Sequence, residues 1–418
     1  MLKKLYIHNF KSFWDSSFEF GKLNCLIAPN NTGKSNLIEA IEFMDDLLFN
    51  PDGEQKDFKT NIHYPDEKST LFKAEFEFVN RVLVYKELID YVCTIEFTIN
   101  MGEINSIDIN VDGKVKYVPV LEEDKVVGFF NFFRLRSYGD ELKDTLKDYS
   151  KYDALISKKR YTKFNFQYNQ NSLKYNITCN KNIQEVLINM FGLNLNSKNE
   201  LTKPIDFKYI FNRGSIFESY YFHSHMIKDT QITSKTINFL NKNGTNLVTY
   251  LSSLDKDTFE DISTSLIGEV ERVDGIEVTQ DAHKRLWFVE DNLKIPLEET
   301  SDGTVHFIAI MSAILGNKNS VAIMIEEPER HMHMKVLSYI VNTMRDDDKQ
   351  IFFTTHSTEL LSLLKLDEII FMFRDYDGDT KGIRAKEIQN IKEIMKIYKN
   401  DLVEMVKIGI LDNLEDEL

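Results

Sequence analysis

The sequence predicts an α/β fold in which parallel strands form a core, with an antiparallel β lobe and a helical insertion added to it. Two apolar runs indicate the core: residues 23–27 precede a polar loop and an amphipathic helix, and residues 321–325 end in acidic residues. Between 71 and 117, apolar and polar residues alternate as in half-buried antiparallel strands. This pattern divides the chain into an N-terminal lobe (1–120), an inserted β/helical region (121–270) and a C-terminal lobe (271–418).

Composition and charge exclude several classes of protein. Hydrophobic residues are 42% and charged residues 28% of the 418 residues, as in globular proteins, and no apolar run approaches the roughly 18 residues of a membrane span. The three cysteines (Cys25, Cys93 and Cys179) lack the spacing of a disulfide framework or metal site, which predicts a reducing, cytoplasmic environment. With a net charge of −15, contact with nucleic acid would require a local basic patch.

Residues 1–20 are predicted to form two short strands joined by a turn near Asp15. Lys11 and Ser12 lie about one strand pair before the loop that follows residue 27. Two interpretations stay open for them. They form an ordinary hairpin edge, or they approach the ligand of that loop from the side.

The segment from Ala28 to Ser35 has the strand, loop and helix context of a phosphate-binding loop. Backbone N–H groups and the positive end of the helix favour an anion there. Lys34 would reach the β and γ phosphates, and Ser35 would place its hydroxyl on Mg²⁺. Ala28 stands where this motif usually has glycine, which is tolerable only if its φ is negative. The candidate nucleotide-binding residues are Asn30, Asn31, Thr32, Gly33, Lys34, Ser35, Asn36 and, on the second interpretation above, Lys11.

The middle of the chain is less informative. Residues 42–66 are interpreted as a loop-like insertion because acidic residues, Pro51 and Gly53 interrupt the apolar pattern. The basic segment Ser157–Phe164 is typical of a solvated strand edge, but Lys158–Lys163 are also suited to a phosphate backbone. A helix near 183–190 and a linker over 194–203 follow. His223 and His225 are read as one side of a strand, where a metal pair is the less favoured interpretation.

Two helices are expected between 233 and 266, followed by strands around 276–278 and 286–289. Ser301 and Gly303 then open an apolar helix over 305–315, which makes a second anion-binding helix end.

The apolar strand 321–325 ends in Glu326 and Glu327. Carboxylates at the end of a buried strand are costly unless they bind a cation or activate a water. Glu326 is therefore predicted in the Mg²⁺ shell and Glu327 as the group that positions or deprotonates the attacking water; the alternative is an acidic turn. After a helix over 331–345 and a strand over 350–355, His356 lies where parallel sheets place ligands. It is predicted to sense a γ-phosphate, unless it is simply a buried, hydrogen-bonded histidine.

Taken together, these motifs resemble an ABC-class P-loop ATPase head of the SMC, RecF and Rad50 type, and most closely the ATPase domain of OLD-family proteins. The resemblance covers about the first 40 residues and about 295–375. It implies that Ala28–Ser35 is the Walker A loop, Ser301–Thr304 the signature motif, Glu326–Glu329 the Walker B motif and His356 the switch histidine. His333 falls where the family has the histidine after its D-loop leucine, which is Met332 here. Two departures are Ala28 for glycine and Glu326 for aspartate.

The resemblance also implies a mechanism. Two heads sandwich two ATP molecules with Mg²⁺; Ser35, Lys34, Glu326, Glu327 and His356 act in cis, and Ser301 and Gly303 act in trans. It further implies ATP hydrolysis, which the departures at Ala28 and Glu326 are expected to slow, and a homodimer or higher homo-oligomer. The residues after His356 are expected to be too few for the TOPRIM nuclease domain of OLD nucleases, which suggests a separately encoded effector protein.

The favoured function is therefore a nucleotide-dependent switch that controls such an effector, in prokaryotic anti-phage defence. Two alternatives stay open. One is a RecF-like DNA-repair ATPase that binds nucleic acid through Lys158–Lys163. The other is a structural ATP-binding scaffold with little turnover, which the departures at Ala28 and Glu326 would favour.

Overall fold

The computed structural model describes residues 1–29, 31–49, 69–78, 83–84, 87–100, 103–117, 161–169, 216–229, 239–279, 284–291, 293–317, 320–388 and 391. The chain divides into two compact units. The first contains residues 1–19 and 43–216, and the second contains residues 20–42 and 217–418. Within the described ranges, no helix combines the length and the apolar character needed to cross a lipid bilayer.

The described residues form the following strands and α-helices. The strands are β1 (Leu2–His8), β2 (Ser16–Glu19), β3 (Leu23–Ile27), β4 (Ser69–Phe78), β5 (Leu83–Val84), β6 (Glu87–Asn100), β7 (Glu103–Tyr117), β8 (Tyr161–Asn169), β9 (Phe217–Tyr220), β10 (Val273–Val278), β11 (Leu286–Glu290), β12 (Leu293–Pro296), β13 (Ala322–Glu326), β14 (Gln350–Thr354), β15 (Ile369–Arg374) and β16 (Thr380–Arg384). The helices are α1 (Lys34–Phe49), α2 (Ser224–Lys228), α3 (Leu247–Leu251), α4 (Lys256–Leu266), α5 (Asp302–Met311), α6 (Met334–Asp346) and α7 (Thr358–Leu361).

The first unit is built on an antiparallel sheet with the strand order β2-β1-β4-β6-β7-β8, in which β5 pairs with β6. Apolar residues alternate along β4, so that Phe72, Ala74 and Phe76 are buried. The ring of Phe72 packs against Phe10 and Phe43, at centroid distances of 5.4 and 6.0 Å. The predicted antiparallel lobe over 71–117 is confirmed.

The core of the second unit is a six-stranded sheet with the order β16-β15-β3-β14-β13-β9. All neighbouring strands run parallel except β16, which pairs antiparallel with β15 at the edge. β3 and β14 are buried along their whole length, which explains their continuous apolar runs. The predicted α/β class is confirmed. A separate antiparallel sheet has the order β10-β11-β12, at the strands expected near 276 and 286.

Strand register brings three strand ends to one edge of the six-stranded sheet. Thr354 of β14 is opposite Glu326 of β13 on one side and opposite Leu26 of β3 on the other. The loops that leave β3, β13 and β14 therefore begin side by side. In an open parallel sheet, this carboxyl edge is where ligands bind.

Two predictions about local structure were wrong. The segment after residue 42 is not loop-like from its start, because α1 continues to Phe49. Asp45 is buried in this helix, where its carboxylate accepts a hydrogen bond from the Ile216 amide at 2.9 Å. His223 and His225 do not share a strand face: β9 ends at Tyr220, His223 is the N-cap of α2, and His225 lies within that helix.

Several predictions fall on residues outside the described ranges. These are most of the insertion over 42–66, the helix near 183–190 and the linker over 194–203. Of the basic segment, Lys158–Arg160 lie outside these ranges, whereas Tyr161–Lys163 begin β8, an edge strand of the first sheet. Two helices were expected over 233–266. Residues 233–238 of this range are not described, and the helices α3 and α4 both follow Gly244.

Candidate active site

The loop after β3 carries the predicted phosphate-binding residues, and its backbone includes two left-handed positions. Asn31 has φ of 63° and Gly33 has φ of 116°, conformations that favour asparagine and glycine. Ala28 has no positive φ, so its methyl group costs nothing in backbone strain. Asn30, the remaining predicted residue of the turn, lies outside the described ranges.

Lys34 begins α1 and its side chain folds into the loop. Its ammonium donates to the carbonyl oxygens of Ala28 at 2.8 Å and Pro29 at 3.4 Å. The residue is only 8% exposed, and this burial lowers the pKa of the ammonium despite the nearby charge of Glu327. A cation held in this way points into the ring of backbone groups that would surround a phosphate.

The hairpin of β15 and β16 braces the loop from outside, a feature that the sequence did not indicate. Arg374 donates from Nη2 to the carbonyl oxygen of Asn31 at 2.8 Å, and from Nε at 3.2 Å. The hydroxyl of Thr380 donates to the carbonyl oxygen of Thr32 at 2.6 Å. Neither contact could be read from local sequence, because more than 340 residues separate the partners.

The two predicted metal ligands come together. The Ser35 hydroxyl donates to Oε2 of Glu326 at 3.2 Å, and burial raises the pKa of that carboxyl. A hydroxyl and a carboxylate are the oxygen donors that Mg²⁺ prefers, and Mg²⁺ in nucleotide sites takes one or two carboxylates together with substrate phosphates. Among the described residues no cluster of three or more His, Cys, Asp or Glu could hold a metal ion. The donor chemistry of Ser35 and Glu326 fits a metal whose other ligands come from phosphate and water.

Glu327 follows Glu326 with φ of 47°, a rare conformation for a residue with a side chain. Its amide donates to the carbonyl oxygen of Thr354 at 3.1 Å and to the hydroxyl of Thr354 at 3.3 Å. The Arg330 Nε donates to Oε2 of Glu327 at 2.6 Å. The charge of Glu327 also acts on Lys34 and His356, so the carboxylate lies within electrostatic reach of both.

Glu329 joins His356, the predicted switch histidine, to the loop after β13. Its Oε1 accepts from the Thr355 hydroxyl at 2.7 Å and from the His356 amide at 3.0 Å. The imidazole of His356 is exposed, and its pKa is lowered by partial burial and by the charge of Lys34. Glu329 belongs to the segment that resembles the Walker B motif, but the sequence analysis predicted no role for it. These contacts make it a further candidate for a functional role.

Ser301 and Gly303 form the N-terminal end of α5. Ser301 is the exposed N-cap and accepts from the Thr304 amide at 3.2 Å. A Cβ atom on Gly303 would lie 2.4 Å from the carbonyl oxygen of His331, so only glycine fits this approach. These contacts place the end of α5 against the turn that follows Glu327, and none of those described for Ser301 joins it to the phosphate-binding loop.

The predicted approach of Lys11 to the nucleotide and the motif assignment of His333 both stay predictions. Lys11 has φ of 49° and belongs to the first unit, whereas the phosphate-binding loop belongs to the second. His333 is the exposed N-cap of α6. The structure therefore brings together Lys34, Ser35, Glu326, Glu327 and His356, all in the second unit.

Comparison with known proteins agrees with this chemistry. A family model described as AAA ATPase domain matches residues 1–361. A protein named ATP/GTP phosphatase, from Helicobacter pylori (strain ATCC 700392 / 26695), is 24% identical over 404 residues, with 93% of each chain covered.

Solved structures similar to this chain include an SMC head domain from Thermotoga maritima, at a TM-score of 0.42 and 14% identity, covering 92% of this chain and 98% of that one. They also include an SmcHead bound to the C-winged helix domain of ScpA, at 0.46 and 13%, covering 91% and 97%. An Smc head domain with an extended coiled coil, from Pyrococcus furiosus and bound to the C-terminal domain of ScpA, gives 0.44 and 13%, covering 96% and 98%.

Proposed function

The chain belongs to the family of AAA ATPase domains, and from that premise we propose that it is an ATP-driven switch in which two copies close on bound nucleotide. As a member of this family it is an ATPase, with its motifs in the order of the ABC class. Closure of a dimer, the residues that act in it and what the switch controls are the proposed steps.

The observation that carries the proposal is the hydrogen bond between Ser35 and Glu326, with Lys34 and Glu327 within electrostatic reach of each other. In the proposed reaction, Lys34 and the loop amides bind the phosphates, and Ser35 and Glu326 hold Mg²⁺. The metal, when bound, would neutralise charge on the phosphates. Glu327 orients the attacking water and accepts its proton.

The second half of the site is proposed to come from a partner copy. Ser301 is exposed at the start of the ten-residue helix α5, and such a helix end favours the negative charge of a γ-phosphate. If Ser301 and Gly303 of one copy meet the phosphate of the other, nucleotide is buried between the copies. ATP binding then favours the closed dimer, and hydrolysis releases it.

The test is the solution mass of Glu327→Gln protein with and without Mg-ATP. We expect the mass to double or rise further with Mg-ATP, because the variant binds nucleotide and hydrolyses it slowly. Adding Ser301→Arg should abolish the rise while ATP binding persists. A solution mass that does not change with Mg-ATP contradicts the trans role of Ser301. An increase in mass that persists in the Ser301→Arg protein also contradicts it. Absence of phosphate release from the wild type would instead favour the structural scaffold.

The resemblance to OLD-family proteins supports a further step, in which this cytoplasmic switch controls a separately encoded effector in anti-phage defence. Expression with its neighbouring genes in a bacterial host should reduce phage plating, and Lys34→Ala should remove the protection. Equal plating in all cases counts against this role. Steeply salt-dependent binding of DNA, weakened by Lys158→Ala and Lys163→Ala, would favour the repair alternative.

A further inference from the structure

We propose that Arg330 is a positioning residue for the Glu327 carboxylate, and that Tyr221 and His223 at the end of β9 hold Arg330 in place. The inference rests on the proposed function, which gives Glu327 the attacking water. Arg330 belongs to none of the four motifs, and it was not among the candidate residues from the sequence.

The pair between Arg330 and Glu327 is close and geometrically specific. Nε of Arg330 donates to Oε2 of Glu327 at 2.6 Å, and the Arg330 amide donates to the Glu327 carbonyl oxygen at 3.3 Å within the same turn. Both side chains are about 30% exposed. The bond fixes one carboxylate oxygen and thereby sets the direction in which the other oxygen points.

Arg330 is itself anchored on the segment between the end of β9 and the start of α2. Its Nη2 donates to the Tyr221 hydroxyl at 2.8 Å, and Nη1 donates to Nδ1 of His223 at 3.4 Å. The guanidinium carbon lies 4.9 Å from the centroid of the Tyr221 ring, within the range of a cation–π contact. A planar guanidinium held by three groups has little freedom to rotate.

The anchors are in turn fixed. The Tyr221 amide donates to the carbonyl oxygen of Lys242 at 2.8 Å, and the rings of Tyr221 and His223 meet edge to face at 4.4 Å. Burial and the charge of Arg330 lower the pKa of His223, which favours the neutral ring, the form that can accept a hydrogen bond from the guanidinium. The end of β9 thus acts through Arg330 on the carboxylate that follows β13, its direct neighbour in the sheet.

The backbone alone does not orient Glu327. Its amide bonds to Thr354 place Cα in a left-handed conformation, but they leave the side-chain torsions to be set by other contacts. A displacement on the order of 1 Å between reacting groups costs about 100-fold in rate. The hydrogen bond from Arg330 supplies a restraint on the Glu327 side chain.

The experiment compares phosphate release by Arg330→Leu, Arg330→Lys and Tyr221→Phe with the wild type. We expect Arg330→Leu to lower kcat by about 10- to 100-fold with KM for ATP within about two-fold, because transition-state positioning is lost and binding is kept. Arg330→Lys should recover part of the loss, since lysine restores the positive charge but not the planar guanidinium with its several donors. Tyr221→Phe should give a smaller loss and add nothing further to Arg330→Leu.

A matched control separates positioning from stability. Arg345 pairs with Glu368 through two bonds of 2.7 Å at the end of α6, and its side chain is 22% exposed, against 29% for Arg330. Arg345→Leu should lower the melting temperature but leave kcat unchanged. If Arg330→Leu does not fold, Arg330→Lys and Tyr221→Phe still decide the question.

Failure of this inference can be distinguished from failure of the proposed function. An Arg330→Leu protein with wild-type kcat, a higher kcat, or a loss confined to KM overturns the inference while Glu327→Gln still abolishes turnover. Wild-type protein that releases no phosphate, or turnover that is unchanged in Glu327→Gln, removes the proposed function on which the inference rests.

Discussion

Among single residues, Gly303 is constrained by space and not by its backbone conformation. A methyl group there would lie 2.4 Å from the His331 carbonyl oxygen. We expect Gly303→Ala to lower the free energy of unfolding by about 1–3 kcal/mol, because the two backbones must move apart. Chemical denaturation measures the change.

Gly21→Ala is the matched control for that substitution. Its added methyl group would meet Arg384 at 3.4 Å, an ordinary contact distance, so its effect should be small. Equal stability of the two variants would show that the approach between Gly303 and His331 is not tight in solution.

His306 of α5 gives a prediction about pH. It is buried and bonded to the backbone of Glu327, and burial first, then the charges of His331, Arg330 and His223, lower its pKa to about 4. Because the unfolded chain takes up this proton near pH 6.5 and the folded protein near pH 4, stability should fall by about 3 kcal/mol as pH decreases between these values. Below about pH 4 this group adds no further loss.

Urea denaturation from pH 8 to pH 4, for the wild type and His306→Asn, measures that contribution. The variant keeps a donor for the Glu327 backbone but cannot be protonated. Its stability should depend less on pH between 6.5 and 4, whatever its stability at pH 8. Parallel pH curves for the two proteins would mean that His306 is not buried as a neutral group.

At the scale of the elements, Glu329 joins the loop after β13 to the end of β14. Glu329→Ala would leave the Thr355 hydroxyl and the His356 amide without their acceptor. An unsatisfied buried donor costs about 1–3 kcal/mol. We expect lower stability and a lower kcat, because His356 is released from its place. Phosphate release and thermal unfolding measure the two effects.

Glu329→Gln is the control, since its amide oxygen can still accept both hydrogen bonds. It should stay near the wild type in stability and retain more activity than Glu329→Ala. If Glu329→Ala loses stability but keeps full kcat, the contact supports the fold alone and does not position His356.

Elements with a strong local pattern were predictable from the sequence. The apolar runs of β3, β13 and β14 and the alternation in β4 are set by burial of one or both faces, which acts on neighbouring residues. The end of α1 was not predictable. Asp45 is tolerated inside that helix because the Ile216 amide, 171 residues away, satisfies its carboxylate. A prediction that considers only neighbouring residues cannot include that contact.

The residues of the candidate site likewise fall into two groups, those that the sequence predicted and those that it did not. Lys34, Ser35, Glu326 and Glu327 were predicted because a motif fixes the chemistry of each position. The residues that hold them in place were missed: Arg374 and Arg330 act through contacts set by strand order. A strongly basic residue just after an acidic motif was the only local signal for Arg330, and it does not specify a partner.

For the molecule as a whole, the net charge of −15 disfavours an anionic ligand everywhere except where cations are gathered. At the carboxyl edge of the six-stranded sheet, Lys34, Arg330 and Arg374 all act at or beside the loops that leave β3 and β13, where they offset the negative charges of Glu326, Glu327 and Glu329. Nucleotide binding should therefore be local and should depend on few residues.

Metal and nucleotide together should stabilise the protein more than nucleotide alone, because Ser35 and Glu326, which are hydrogen-bonded to each other, are proposed to supply two of the oxygen ligands of Mg²⁺. At a Mg-ATP concentration about 100 times Kd, the free energy of unfolding should rise by about 2.7 kcal/mol. Excess EDTA with the same ATP should remove much of this gain, as should Ser35→Ala in the presence of Mg²⁺. Lys34→Ala should lose the gain under both conditions, since it removes phosphate binding itself. Thermal unfolding of the three proteins, with Mg²⁺ alone as a further control, measures these differences. Equal stabilisation by ATP with and without Mg²⁺ would show that Ser35 and Glu326 do not hold the metal, and the proposed assignment of Glu326 would have to be abandoned.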